Sequence, residues 1–506
     1  MMNPFRRGTH NLSHSFKTTM NMGWLTPIAC FDVCPGDKIK HKISALIRTQ
    51  PLMAPVMHLV DIDVHAYYVP NRILQDDFED MITGGEDGMA VVEAPYQTSP
   101  AGTGYAAGSL MNQLGVPAGV PNLKHSAFPA RAYNLIYNTA YRDSQLQAEI
   151  PISYGNGSDT TTPRNLLAPC WKRDYFTKCR PAPQLGPDVV LPFSGQAPVT
   201  GIGKVNRNFP TASVNVFETG SGTSTVNYPR ASGIDGSAAD NQVFLKSSTN
   251  PGNPEIFADL SAVSGISIRE QREANATQRF LEFNNLFGGR YIEQMMARFG
   301  SRVPDDRIQF PEYIGSGSTK IQFSEVLATA EAEDLDVGAM KGHGISLMAS
   351  NRYRRAIPEF GWIIVLMIVR PKTQYAQGLH RSWSRETKYD YLLPEFQDIG
   401  DQAVLNKEIY AASGSPTGVF GYTPQYEEYR TIPSRIAGEF VTTQNYWTLY
   451  REFASAPALN STFVTCNPSD RIFPVNVQNA DSLIVTTNHD IVARRALRVR
   501  PDYKLM

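Results

Sequence analysis

Met57-His-Leu-Val-Asp-Ile-Asp-Val-His-Ala-Tyr-Tyr-Val-Pro-Asn-Arg72 is the stretch whose reading decides the fold. Val60, Ile62, Val64, Ala66 and Tyr68 alternate with Asp61, Asp63, His65 and Tyr67, so an extended chain sends the two sets to opposite faces. Period-two alternation rich in β-branched and aromatic residues marks a half-buried strand. Pro70 lacks a backbone donor and Asn71 favours a turn, so the strand stops there. The expectation is a central strand with one dry face and one polar face. On the polar face Asp61, Asp63 and His65 project together, with His58 upstream, and carboxylates beside an imidazole could hold a divalent metal. The alternative is that they pair with the neighbouring strand or the next subunit. It gains from the absence of any other His or Cys cluster to complete a metal shell.

The chain has 506 residues, of which 19% are charged against roughly 25% in typical soluble domains, while Gly and Pro together number 73. So low a charge fraction in so long a chain points to a surface that is itself covered, as in an oligomer. The longest apolar run, Trp362 to Val369, is too short for a bilayer, and no signal peptide is expected. Cys30, Cys34, Cys170, Cys179 and Cys466 are odd in number and scattered, which suits free thiols in a reducing cytoplasm. Charge is unevenly spread. Residues 1–48 carry seven Lys/Arg against two Asp, residues 490–506 carry five against two, and the remainder is acidic enough to bring the total to −1. Two basic ends on an acidic body suit a polyanionic partner, although solvated ends have the same look.

Along the chain, residues 1–23 read as an extended polar arm and Pro35-Gly36-Asp37 as a turn. Lys38 to Arg48 alternates as a strand through Ile39, His41, Ile43, Ala45 and Ile47 and feeds the central one. Residues 83–128 are rich in Gly, Ala and Pro and contain a segment, residues 102–108, that reads as a surface loop. Gly102-Thr-Gly104-Tyr-Ala-Ala-Gly108 has the glycines of a dinucleotide loop without its strand or acidic residue, and Gly201-Ile-Gly203-Lys204 is only a fragment of a phosphate loop. Ala132 to Tyr141 shifts to helical period, with Tyr133, Ile136, Tyr137, Ala140 and Tyr141 on one face and Asn134, Asn138 and Arg142 on the other. Further helices are expected over Arg269–Leu286 and Arg290–Phe299, punctuated by Gly288-Gly289 and Gly300. Trp362 to Val369 reads as a strand buried on both faces, and Leu483 to Ala493 as a last strand. Residues 188–262 hold 36 Gly, Ser, Thr, Asn or Pro and only ten charges among 75 positions, which predicts a compact looped excursion with small apolar anchors. Eight short strands need only ~50–60 residues, so most of the chain must lie in long connections.

Short motifs then accumulate in order: Leu12-Ser13-His14, Phe16-Lys17-Thr18-Thr19, Pro35-Gly36-Asp37, Val69-Pro70-Asn71-Arg72, Arg131 through Asn138 and Arg173-Asp174-Tyr175-Phe176-Thr177. They continue with Gly289-Arg290-Tyr291, Pro311 through Gly315, Leu405 through Tyr410, and Tyr429-Arg430 through Pro433-Ser434-Arg435 to Gly438-Glu439-Phe440. In type and order they resemble the major capsid protein family of the Microviridae, small tailless bacteriophages with single-stranded DNA genomes, and most of all its gokushovirus-like branch. Ala182-Pro183-Gln184-Leu185-Gly186 departs by lacking the Trp and Lys usual there, and the last sixty residues match loosely.

The resemblance implies a mainly β chain, 1–506, forming one eight-stranded antiparallel jelly roll of viral capsid type with very long loops. It implies self-assembly into a T=1-type icosahedral shell around single-stranded DNA, in the virion and, during assembly, in the host bacterial cytoplasm. Pilot or minor virion proteins, an internal scaffolding protein and a host surface receptor are the expected partners. The 1–23 arm and the basic 490–506 tail would face DNA through Arg6, Arg7, Lys17, Arg494, Arg495, Arg498, Arg500 and Lys504, with Phe5 and Phe16 for stacking. The 188–262 insertion would project as a threefold protrusion used in host attachment, with a flat loop as the alternative. No catalytic group and no cofactor is expected beyond a structural divalent cation. The competing readings are a metal-binding, cupin-like jelly-roll enzyme using Asp61, Asp63 and His65, and a secreted lectin-like adhesin.

Overall fold

The computed structural model describes residues 7–86, 89–186, 199–200, 257–258, 268–287, 297, 308–327, 340–350, 352–474 and 480–497. The chain divides into two compact units, Met1–Pro183 with Arg290–Met506, and Gln184–Gly289. In chain order the strands are β1 (Gly8–Asn11), β2 (His14–Met20), β3 (Thr26–Val33), β4 (Lys38–Thr49), β5 (Val60–Pro70), β6 (Tyr96–Thr98), β7 (Lys124–Ser126), β8 (Val199–Thr200) and β9 (Phe257–Ala258). After these come β10 (Glu312–Lys320), β11 (Gln322–Leu327), β12 (Met340–Ala349), β13 (Tyr353–Ala356), β14 (Gly361–Pro371), β15 (Asp401–Leu405), β16 (Val419–Pro424) and β17 (Leu483–Arg495). The helices used below are α1 (Phe78–Thr83), α2 (Leu110–Leu114), α3 (Phe128–Ile136) and α4 (Ile268–Phe287).

The larger unit is mainly β and its sheets are antiparallel. One sheet has seven strands in the order β1-β17-β4-β12-β11, with β2 also on β17 and β13 also on β4; the other has four, β10-β5-β14-β3. Their facing sides share one apolar core. The seven-stranded sheet supplies Ile39, Ile43, Ile47, Val485 and Ile491, and the four-stranded sheet supplies Ile62, Val64, Tyr68, Val365 and Met367. Each such side chain, fully buried, contributes about 1.5–3 kcal/mol, so the alternation read in β4 and β5 fixes which side of each strand turns inward.

The far side of the four-stranded sheet is covered as well. Tyr133, Ile136 and Tyr137 pack on Tyr67, Val69, Ile364, Leu366 and Ile368, joined by Phe78 of α1 and Leu110 of α2. The expected strand at Trp362 to Val369 is therefore buried on both faces, as read. The polar face of β5 is also covered, which alternation alone did not show. Helix α3 passes into one π-helical turn over Tyr137–Tyr141. That wider turn leaves Ala140 exposed, while Asn134 and Asn138 of the supposed polar face are buried. Asn138 meets its cost by donating to the Ile150 carbonyl at 2.8 Å and accepting from the Ile150 amide at 2.9 Å.

Three further readings gain detail. Residues 8–20 of the expected extended arm form β1 and β2, both paired with β17. Strand β4 joins the opposite sheet from β5, so the chain crosses the core between them. Residues 83–128 hold the β6–β7 pair and α2 within their loops. At Gly104, with φ +67°, an added Cβ would lie 2.4 Å from the Val120 amide nitrogen, so the glycines serve a tight turn.

All five thiols are free, and among the described residues no helix is long and apolar enough to cross a membrane. In the smaller unit α4 spans the helix expected over Arg269–Leu286. Strands β8 and β9 pair Val199 with Ala258 and Thr200 with Phe257, bringing together the two ends of a long excursion. Otherwise the 188–262 segment, Gly201 to Lys204 within it, and the expected Arg290–Phe299 helix (Ala297 apart) lie outside the described residues.

Candidate nucleic-acid face

The side of β4 turned away from the core carries Lys38, Lys40 and Lys42, all exposed. Two-residue steps place them about 6–7 Å apart along the strand. Neighbouring strands add charge of the same sign. Arg494 stands opposite Lys38, and Arg354 stands opposite Lys40. Like charges directly opposite each other on a sheet destabilise it. The one acidic residue in these rows, Asp490, lies opposite Lys42 and is engaged by Arg352 at 2.8 Å. Among the described residues Lys38, Lys40, Lys42, Arg354 and Arg494 make no ion pair. Packing does not require this concentration of unpaired cations, whereas a polyanion laid across the strands would neutralise it.

Of the eight residues expected to face DNA, Arg494 stands on this face, and Lys17 of β2 shares its side through the pairing of Lys17 with Thr486. Arg495 is on the opposite side of β17. Its guanidinium donates to Asp37 at 2.9 Å and to the Asp32 carbonyl at 3.0 Å, tying the strand's end to the Pro35-Gly36-Asp37 turn. Arg7 is exposed near Gly36. Phe16 is half-buried against the sheet core and is not free to stack. Arg6, Arg498, Arg500, Lys504 and Phe5 lie outside the described residues. Lys38, Lys40 and Lys42 belong to the basic first 48 residues, and composition alone assigns them no role. Their own alternation with Ile39 and His41 was the available signal. Arg354 had no local signal, since only the β13–β4 pairing brings it here.

Asp61, Asp63 and His65 do share one side of β5, under the α3 layer. Lys172 donates to Asp61 at 2.9 Å and lies 3.0 Å from Asp63. Arg370, on the adjacent strand β14, reaches Asp63 at 3.0 Å, and Ser318 donates to its other oxygen at 3.0 Å. Burial alone would raise the Asp63 pKa, but hydrogen bonds from Lys172 and Arg370 outweigh it and hold the carboxyl below its usual range. His65 pairs through Nδ1 with the Tyr141 hydroxyl at 2.7 Å, and burial lowers its pKa despite the nearby Asp63 charge. Two protein cations thus occupy the positions a divalent ion would take. Pairing with the neighbouring strand, the alternative to a metal triad, is what the geometry contains. Among the described residues no group of three or more His, Cys, Asp or Glu could hold a metal ion.

A third cluster lies on the core side of the seven-stranded sheet. His41 meets Tyr353 through Nδ1 at 2.6 Å and His489 through Nε2 at 3.1 Å, while His489 meets Thr487 at 3.0 Å and His14 stacks on it. Burial, then the neighbouring imidazoles, push His41 down to about 3. Burial and His14 push His489 down to about 4, against a backbone hydrogen bond.

Comparison with known proteins agrees with the order of motifs. The family model described as "Capsid protein (F protein)" matches residues 2–503. The chain is similar to the capsid protein VP1 of Bdellovibrio phage phiMH2K, at 32% identity over 94% of this chain and 91% of that protein. It is similar to the capsid protein VP1 of Chlamydia phage 1, at 31% over 93% and 91%, and to that of Spiroplasma virus 4, at 28% over 91% and 87%. These three relatives are Microviridae proteins. An enzyme or adhesin reading falls with this match: the chain belongs to the phage F-protein family of capsid proteins, a self-assembling structural component of the virion and not an enzyme.

Proposed function

We propose that this chain is the major capsid protein of a T=1-type icosahedral shell enclosing a single-stranded DNA genome, and that its two-sheet core is a jelly roll. The observation that carries the DNA part is the uncompensated basic face of β4, β13 and β17. Its sequence-independent cations suit a phosphate backbone, with no arrangement for reading bases. The basic ends of the chain, with Arg6, Arg7, Lys17, Arg498, Arg500 and Lys504, are read as extending the same contact. The 188–262 excursion, whose ends β8 and β9 draw together, is read as the outer protrusion used in host attachment. Pilot or minor proteins and an internal scaffold complete the partners, with assembly in the host cytoplasm. The reading needs no cofactor.

Electron cryomicroscopy of purified particles tests it. The expected result is uniform closed shells of sixty copies (T=1) with nucleic-acid density against Lys38, Lys40 and Lys42. Shells with that face on the outer wall would overturn the DNA assignment, and particles that are not closed shells of this chain would overturn the assembly assignment.

A further inference from the structure

The segment Leu379–Ile399, with Tyr429 and Ile432, is built inside out. Three short turns, Arg381–Trp383, Lys388–Asp390 and Pro394–Phe396, follow one another without a strand or a long helix. Their polar groups are the anchored ones. Arg381 bonds Glu408 at 3.1 Å and the Ala403 carbonyl at 2.7 Å, and the Asp390 carboxylate accepts from the Thr387 amide at 2.8 Å. Glu408 and Glu428 are buried beneath, while Trp383 is 76% and Ile432 is 79% exposed. Tyr389, Tyr391, Leu392 and Tyr429 each remain about half exposed.

Apart from Tyr389, which packs on Phe396, these side chains are linked, and the Leu392 amide donates to the Tyr429 hydroxyl at 3.4 Å. Trp383 and Ile432 line one apolar cleft of about 220 Å³ together with Arg381. Arg381 and Arg385 approach the same Glu428 oxygen at 3.8 and 3.9 Å. Arg385 in turn lies over the Tyr429 ring at 4.4 Å and the Tyr391 ring at 5.4 Å. With ~150–250 Å² to a large side chain, the five linked ones leave on the order of 600 Å² of mostly apolar surface in water. That stands at the top of the ~300–600 Å² range for the largest patch of a typical monomer and is most of the ~800 Å² each partner gives to a stable interface.

The charge on the patch identifies what covers it. Residues 379–399 and 427–435 together carry five Lys/Arg and six Asp/Glu, so the region does not attract a polyanion, unlike the outer face of β4. Exposed Trp and Tyr with Arg stacked among them is the composition of a protein–protein hot spot. We infer that this patch is a contact between subunits, covered in the shell by a second copy of this chain, whose side chain enters the Trp383–Ile432 cleft. The inference rests on the shell-forming reading above.

The test uses the full chain with Trp383→Ser and Ile432→Ser combined. Dissociated subunits should keep the wild-type circular dichroism and melting temperature, while shell yield by sedimentation falls at least tenfold. Wild-type yield from a folded variant overturns the inference. Hydroxyl-radical footprinting of wild-type protein decides independently should the variant misfold. Trp383, Tyr391 and Tyr429 should be protected in DNA-free and DNA-filled shells and reactive in dissociated subunits. Protection confined to DNA-filled shells, or none on assembly, overturns the subunit contact. Wild-type protein that forms no shells even with its scaffolding partner present overturns the assembly reading itself, a result distinct from intact shells with an uncovered patch.

Discussion

Strands β4 and β5 begin from the same pattern and end in opposite situations. Each alternates aliphatic residues with ionisable ones, and each turns its aliphatic side to the shared core. Above β5 the charges are enclosed: Asp61 and Asp63 have Lys172 and Arg370, and His65 has Tyr141. Above β4, Lys38, Lys40 and Lys42 face outward with cations as their cross-strand neighbours. A charge that finds its partner within the chain belongs to the architecture, and a charge held among its own kind needs a partner from outside. The same motif at Asp61, Asp63 and His65 that suggests metal chemistry is therefore a fastening between layers, while the plain lysines are the charges left without an ion pair among the described residues.

The enclosed layer should respond most to mutation. Its deepest fastening is Arg131, inside the Arg131–Asn138 motif. The guanidinium pairs with Asp159 at 2.8 Å, with both side chains almost fully buried, and also donates to the Leu74 and Gly155 carbonyls. Asp159→Ala leaves that charge buried and unpaired and should destabilise dissociated subunits by about 3–5 kcal/mol in urea unfolding. Asp63→Ala, at the edge of the same layer, should lose about 1–3 kcal/mol. Lys40→Ala should stay within about 0.5 kcal/mol of wild type. An Asp159→Ala loss no greater than that of Lys40→Ala would break the contrast between the two strands.

The inner side of β4 adds a pH dependence of intermediate size. His41 and His489 titrate near 3 and 4 in the fold, below the ordinary 6.5. Above about 6.5 both states hold neutral rings and the contribution is complete. As pH falls below that value the unfolded chain gains protons that the fold refuses, so stability is lost until the folded pKa values are reached. At ~1.4 kcal/mol per pH unit per histidine, the pair should forfeit about 3 kcal/mol by pH 5.5. His489→Gln should flatten urea midpoints between pH 7 and 5. A variant with the full wild-type slope would show that other groups set it.

How much of this was legible in the chain depends on distance along it. The side chains of β4, β5 and β17 declare their faces through neighbours two residues away, and β14 declares itself as an unbroken apolar run, so strand positions and core residues could be read. Sheet membership could not, because the partner of β4 is β17, more than four hundred residues later. The same limit applies to the sites. Nothing local to Asp63 announces Arg370, and nothing local to Lys40 announces Arg354. With the last strand expected to end at Ala493, Arg494 and Arg495 looked equivalent. Continued alternation through Arg495 separates them, placing one on the basic face and the other against Asp37.

The smallest effect on stability should accompany the clearest effect on function. Replacing Lys38, Lys40 and Lys42 with Ser removes three outward charges that touch no core residue, so the fold should lose little, and relief of the Lys38–Arg494 and Lys40–Arg354 repulsion works in its favour. Shells should therefore still close. Packaged DNA should weaken in proportion to the phosphates no longer neutralised, with the slope of log affinity against log salt for single strands reduced by about 2, at ~0.7 per phosphate contact. Arg495→Ser offers the sharpest control, since it removes a basic residue expected at first to face DNA but placed in an ion pair by the fold. It should lower the urea midpoint and leave the salt slope unchanged. If instead Arg495→Ser shifts the slope and the three lysine replacements do not, the unpaired charges of β4 serve another partner and the contrast between the two strands loses its functional meaning.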